Sequence, residues 1–221
     1  MSEMFWNDDE EIPTTPQSNV VDVVFIIKGK TLPNNTLSAI AQSLSERIQN
    51  WDTLQGLGLH LKLGGEEGNG WYRDKDPESV LYISRRTKLV LRVPQESVKN
   101  IQALTDIDLD VQGHNIKLAH KHNKNLTHSS TLYSHYVISE FEEEVDFLHY
   151  VQQQLQEMDI NCKKILCGKS REMDLADRKV NTRSLMLNEL NKDDSLLLQA
   201  KGIGSEQRRG CGVFIPYKTI S

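Results

Sequence analysis

Lys201-Gly202-Ile203-Gly204-Ser205-Glu206-Gln207-Arg208-Arg209-Gly210-Cys211-Gly212-Val213-Phe214-Ile215-Pro216 is the stretch on which the fold turns. Four glycines fall within 11 positions, two arginines lie among them, and a short apolar run follows. Glycine loses the most backbone entropy on folding, so such a cluster belongs where a side chain would be forbidden. Successive exposed amides in a loop of this kind form an anion cradle, to which Arg208 and Arg209 add donors. The order is loop, then strand. A nucleotide-binding loop runs strand, glycine loop, helix, and neither GxxxxGK[ST] nor GxGxxG before a helix is present. The phosphate expected here therefore belongs to a polynucleotide backbone, and no cofactor is expected.

Working back from this loop, Leu190 to Lys201 reads as a helix and Thr182 to Leu187 as a strand. Cys162 to Leu166 is another strand, with a basic loop between the two carrying Lys169, Arg171, Arg178 and Lys179. Glu140 to Glu157 is a helix with Phe141, Val145, Leu148, Val151 and Leu155 on one face. Leu132 to Ile138 opens the set. The polar segment 120–130, with His120, His122 and His128, reads as a connector. HxH is a metal-ligand spacing, but no cysteine or second pair joins it closely, so no metal is expected.

The first half shows the same order. Val20-Val21-Asp22-Val23-Val24-Phe25-Ile26-Ile27 is dense in β-branched residues and reads as a strand. Leu37, Ile40, Ala41, Leu44, Ile48 and Trp51 recur at helical spacing. Leu57 to Leu63 alternates as a strand containing His60, and a glycine loop at 64–70 leads to Trp71-Tyr72-Arg73. Strands at 80–83 and 87–93, a helix at about 95–103 and a strand near 107–111 follow. Strand-helix-strand-strand-helix-strand, twice, predicts an α+β protein of tandem ferredoxin-like (RRM-like) domains. The expected boundaries are a leader at 1–18, domains at 19–119 and 131–221, and the connector at 120–130.

The 221 residues allow two domains of this size. The formal charge of -5 is unevenly placed. The leader carries Glu3, Asp8, Asp9, Glu10 and Glu11 with no Lys or Arg, so the remainder sums to zero. From Ile160 onward, twelve basic residues face seven acidic ones. Such segregation gives a neutral body one basic face. Three cysteines form no CxxC and fit a reducing cytoplasm; no apolar run reaches membrane-spanning length.

Four separated motifs carry a family resemblance: Ser84-Arg85-Arg86-Thr87, Leu166-Cys167-Gly168-Lys169-Ser170, Thr182-Arg183-Ser184-Leu185-Met186-Leu187 and Gly210-Cys211-Gly212-Val213-Phe214-Ile215-Pro216. With them, from about Asn7 to Ile220, the chain resembles the CRISPR repeat-processing endoribonucleases of type I systems, in particular the subfamily first described in myxobacteria. The resemblance implies cleavage of repeat RNA without metal, with the 2′-hydroxyl as nucleophile and a 2′,3′-cyclic phosphate as product. It also implies retention on the 3′ end of the guide RNA as a subunit of a type I effector complex, of the defence or the transposition-associated kind.

Metal-free cleavage needs a base, an acid and positive charge at the phosphorus. Histidine suits either proton role, and the resemblance makes His60 the catalytic candidate; on residues alone it is equally a hydrogen-bonded polar residue without chemistry. Tyr72 is its candidate partner, with Tyr82, Ser84 and Lys62 alike by spacing. Trp71 either stacks a base or closes a loop over the core, and Arg73 follows it. Alternation puts Arg86, Lys88, Val90 and Arg92 on one side of a strand, expected to meet water or RNA phosphate beside Arg85. Lys169, Arg171 and Arg183, with Gly202, Gly204, Gly210 and Gly212 of the loop, complete the expected RNA-binding set. The rival readings are a repeat-RNA anchor that does not cleave or acts once, and an adaptor without RNA function.

Overall fold

The computed structural model describes residues 19–48, 51, 53–54, 56–63, 79–175 and 177–217. The leader, the glycine loop at 64–70, and Trp71, Tyr72 and Arg73 lie outside the described residues. Two β-sheets, each with helices on one face, resemble tandem ferredoxin-like domains.

In the first unit the β-branched run is strand β1 (Val20–Lys28), with Val21, Val23, Phe25 and Ile27 buried. β2 (Thr31–Pro33) and α1 (Thr36–Ser45) follow, and Leu37, Ile40, Ala41 and Leu44 bury the face that their spacing predicted. Next come β3 (Gly58–Lys62), β4 (Val80–Tyr82), β5 (Lys88–Pro94), a 3-10 turn at Gln95–Ser97 running into α2 (Val98–Gln102), β6 (Asp108–Val111) and β7 (His114–Asn125). The sheet order is β3-β5-β1-β7-β6, while β2 and β4 form a separate ribbon. Setting β6 aside, this is the strand order of a ferredoxin-like sheet.

β7 is longer than expected. It pairs with β1 from Lys117 to Asn125 across a bulge opposite Val24 and Phe25, so half of the segment read as a polar connector is strand. Main-chain bonds to β1 hold it there. One of its faces is open to water, and the hydrophobic period that marks a strand is lost.

The second unit comprises β8 (Thr131–Ile138), α3 (Glu144–Glu157), β9 (Lys164–Cys167), β10 (Arg171–Asp174), β11 (Lys179–Asn188), α4 (Lys192–Lys201) and β12 (Ile215–Pro216). β9 and β10 are two pieces of one broken strand along β11. The expected basic loop is thus mostly a hairpin, with Arg171 and Lys179 inside strands. On α3, Phe147, Val151 and Leu155 are buried. Phe141 precedes the helix and Val145 is 61% exposed, so the buried stripe is narrower than the one predicted. Asn191 caps α4 by accepting a hydrogen bond from the Asp194 amide at 2.9 Å.

The glycine-rich loop folds back on itself. Gly202 and Gly212 both have φ near +70°, and a Cβ on either would collide with the carbonyl facing it, of Gly212 and Ile203 respectively. Glycine is required at both by close backbone approach. This knot rests on the edge strand β3, where Gly210 sits against Leu37 and the Leu59 carbonyl. Met173, Leu175 and Cys211 extend the first core across the junction between units.

Candidate nucleic-acid interface

On β1 the residues facing away from the helices are Asp22, Val24 and Ile26. Strand register places three rows across that open face: Gly58–Arg92–Asp22–Lys124, His60–Val90–Val24–His122, and Lys62–Lys88–Ile26–Ala119. The first row is sealed at Gly58, Arg92 and Asp22, with Lys124 exposed at its end. Arg92 is 2% exposed, and its Nε and one terminal nitrogen donate to the two Asp22 carboxylate oxygens at 2.8 and 3.2 Å. The other terminal nitrogen donates to the Gln199 carbonyl at 2.8 Å and to the Phe214 carbonyl at 2.7 Å. One side chain of the first unit therefore holds the end of α4 and the approach to β12 in the second. Burial works to raise the Asp22 pKa, but the charge and hydrogen bonds of Arg92, with His60 close by, prevail and hold the carboxyl far below its usual range.

His60, in the second row, is 7% exposed, and neither ring nitrogen has a hydrogen-bond partner among the described residues. Its Nε2 lies 3.9 Å from Asp22 Oδ2, an ion-pair distance too long for a hydrogen bond. Burial pushes the imidazole pKa down; Asp22 opposes this, and Arg92 and Lys62 add to it. The ring is neutral at neutral pH. The third row is open and basic, with Lys62 exposed and Lys88 half-buried. Partial desolvation, then Lys121, lowers the Lys88 pKa. His122 is lowered by desolvation and then by Lys121, His120, Lys124 and Lys62. Like charges crowd this end of the sheet.

Beside the sealed row lies a cavity of about 490 Å³, lined by Gly56, Gly58, Arg92, Lys201, Ser205 and Arg208 among others. Several of the loop amides expected to form an anion cradle are turned inward instead. The Gly202 amide donates to the Leu198 carbonyl, that of Ile203 to Gly212, that of Cys211 to Glu206, and that of Gly212 to Tyr136. Arg208 donates to the Leu54 carbonyl at 2.8 Å. Arg209 bonds the Leu175 carbonyl and Asp177. The glycines and arginines here tie the loop together and to its neighbours.

A family model described as Cas6 Crispr matches residues 21–219. The chain belongs to the Cas6 family. A relative from Myxococcus xanthus (strain DK1622), named CRISPR-associated endonuclease Cas6, is 23% identical over 197 residues, covering 89% of this chain and 81% of the relative. Among solved structures, one described as CRISPR associated protein Cas6 covers 90% of this chain and 99% of its own, with a TM-score of 0.57 and 12% identity. A second, described as an RAMP protein binding different RNA substrates, covers 88% and 98%, with a TM-score of 0.54 and 10% identity. These likenesses support the same tandem fold.

The remaining expected residues of this Cas6-family chain separate by burial. Arg85 and Arg86 are exposed in the turn before β5, and Lys169 and Arg171 are exposed on the β9–β10 edge. Arg92 is not on a wet face, contrary to the expectation from alternation. Arg183 is 6% exposed; it donates to the carbonyls of Gly168 at 3.3 Å and Glu142 at 2.6 Å, over the Phe147 ring. Gly202, Gly210 and Gly212 are buried, and Gly204 is half-buried near the Tyr150 hydroxyl. The histidines of HxH diverge: His120 packs on Phe25 and bonds Gln102 and Asn123, while His122 is exposed. Sequence reasoning missed Asp22 and, around the His122 it had singled out, the cations Lys121 and Lys124. A lone aspartate inside VVDVVF was a signal, because a buried carboxylate requires a cation.

Proposed function

We propose that the chain is a metal-independent CRISPR repeat-RNA endoribonuclease of the myxobacterial-type subfamily, acting in the cytoplasm on precursor transcripts. Family membership supports the repeat RNA as substrate, and the Myxococcus relative supports the subfamily. The observation that carries the reading is His60, a neutral buried imidazole placed between the Asp22–Arg92 pair and the open Lys62–Lys88 row. The neutral ring accepts the proton of the 2′-hydroxyl, and the 2′-oxygen attacks the adjacent phosphorus. The bond to the 5′-oxygen breaks, and that oxygen takes up a proton from an acid for which Tyr72 is the candidate. The products are a 2′,3′-cyclic phosphate and a 5′-hydroxyl. Because the substrate supplies its own nucleophile, the step needs a base, an acid and charge stabilisation, the last from the lysine row. Arg85, Arg86, Lys169 and Arg171 hold phosphates on both units (19–119 and 131–221), and the protein stays with the guide RNA 3′ end in a type I effector complex.

A second reading is favoured by the burial of His60 beside an ion pair that joins the units: a repeat-RNA anchor in which His60 is structural. Cleavage of a labelled repeat RNA in EDTA separates them, comparing wild type with His60→Ala and measuring binding to a repeat blocked by a 2′-deoxy nucleotide. Single-site cutting in chelator that the variant loses, with binding kept, is the expected result. Normal cutting by the variant removes His60 from the chemistry. Tight binding with no cutting by either protein leaves the anchor.

A further inference from the structure

Tyr82 closes the short ribbon strand β4, opposite Thr31 of β2. It is 78% exposed, more than any other large hydrophobic side chain among the described residues. The described segments that form its ribbon and the turn after it carry one sign of charge. Segments 28–33 and 79–88 hold five basic residues, Lys28, Lys30, Arg85, Arg86 and Lys88, and no Asp or Glu. The Ile83 amide donates to the Lys30 carbonyl at 3.0 Å, which sets Lys30 beside the residue after Tyr82.

The turn that follows is stiffened from within. The Ser84 amide donates to Thr87 Oγ1 at 3.0 Å, the Thr87 amide to the Ser84 carbonyl at 3.0 Å, and the Arg86 amide to Ser84 Oγ at 3.2 Å. Lys88 Nζ donates to the Arg85 carbonyl at 2.8 Å, joining the turn to the lysine row next to His60. Arg85 and Arg86 are exposed, and among the described residues neither has a carboxylate within ion-pair distance. A rigid turn with two uncompensated guanidiniums behind a projecting aromatic ring is complementary to a polyanion whose units carry flat rings.

We infer that Tyr82 stacks on an unpaired nucleotide of the bound RNA, with Arg85 and Arg86 on the flanking phosphates. A paired RNA helix offers phosphates, hydroxyls and base edges, whereas base faces are free only in single-stranded segments. The ring therefore selects an unpaired position, and the cations around it fix the backbone there. Tyr82 is a binding residue in this account; its hydroxyl moves no proton. The inference rests on the reading that the chain binds repeat RNA.

The test is equilibrium binding of the full chain to a cleavage-blocked repeat RNA, for wild type, Tyr82→Ala and Tyr82→Phe, with single abasic nucleotides scanned through the RNA. Tyr82→Ala is expected to weaken binding about tenfold, the scale of one base–aromatic stack, and Tyr82→Phe to bind like wild type. At one unpaired position an abasic nucleotide should cause the same loss and abolish the difference between wild type and Tyr82→Ala. Wild-type affinity in Tyr82→Ala, while wild type binds tightly, overturns the inference, leaves the RNA reading intact and points to a protein partner for this patch. Equal losses in Tyr82→Phe and Tyr82→Ala overturn stacking in favour of the hydroxyl. Failure of the wild type to bind the repeat overturns both readings.

Discussion

Arg92 and Arg183 occupy the same strand of their respective units, β5 and β11, each packed against the first strand of its sheet. Both are buried and both donate to two main-chain carbonyls. They differ in what balances the charge. Arg92 faces the Asp22 carboxylate, and its carbonyl partners belong to the other unit. Arg183 has no carboxylate within ion-pair distance among the described residues; its partners lie in its own unit, over the Phe147 ring. The first arginine joins two units, and the second braces one. Losing each should therefore leave behind a different unpaired group.

The largest effect should follow Arg92→Ala, which strands a buried carboxylate and two carbonyls. Unfolding in urea should show a loss of about 3–5 kcal/mol. Adding Asp22→Leu should recover part of it, because the uncompensated charge is then gone. A small loss in the single variant would break the comparison at its root. Arg183→Ala should cost less, about 1–3 kcal/mol, since only carbonyls and a ring lose their partner. If its loss matched that of Arg92→Ala, charge balance would not be the difference between the two sites.

The smallest effect concerns His60 and sharpens the picture of the sealed row. Its folded pKa lies below the unfolded value of about 6.5, so acidification protonates the unfolded chain first. Stability should fall as pH drops below that value, and His60→Gln should flatten this part of the profile. Asp22 acts lower. Its folded pKa is depressed, so its contribution is complete above the unfolded value of about 3.9 and is lost as pH falls further. A wild-type profile that stays level from neutrality down to the carboxylate range would remove the burial effect at His60.

Much of the architecture was legible. The β-branched run of β1, the helical spacing of Leu37, Ile40, Ala41 and Leu44, and the repeated element order all follow from local period and propensity. The glycine stretch was legible as a loop entering a strand. Its purpose was not, because amides turned inward toward carbonyls and amides turned outward toward a phosphate arise from the same glycines. β7 was cut short because a strand with a wet face has little hydrophobic signal to read.

Arg86, Lys88, Val90 and Arg92 do alternate, and alternation specifies a common side from the backbone alone. It says nothing of what packs on that side. The open face of the first sheet is covered at one end by the second unit and left to solvent at the other. Lys88 therefore meets water while Arg92, four residues on, is sealed in an ion pair, and His60 falls at the border between them. The two folded units, the strands that build them and the amount of positive charge came from the order of residues. Which charges were buried and which were left facing outward was decided by how the units dock, because burial depends on contacts between residues as distant in sequence as Arg92 and Phe214.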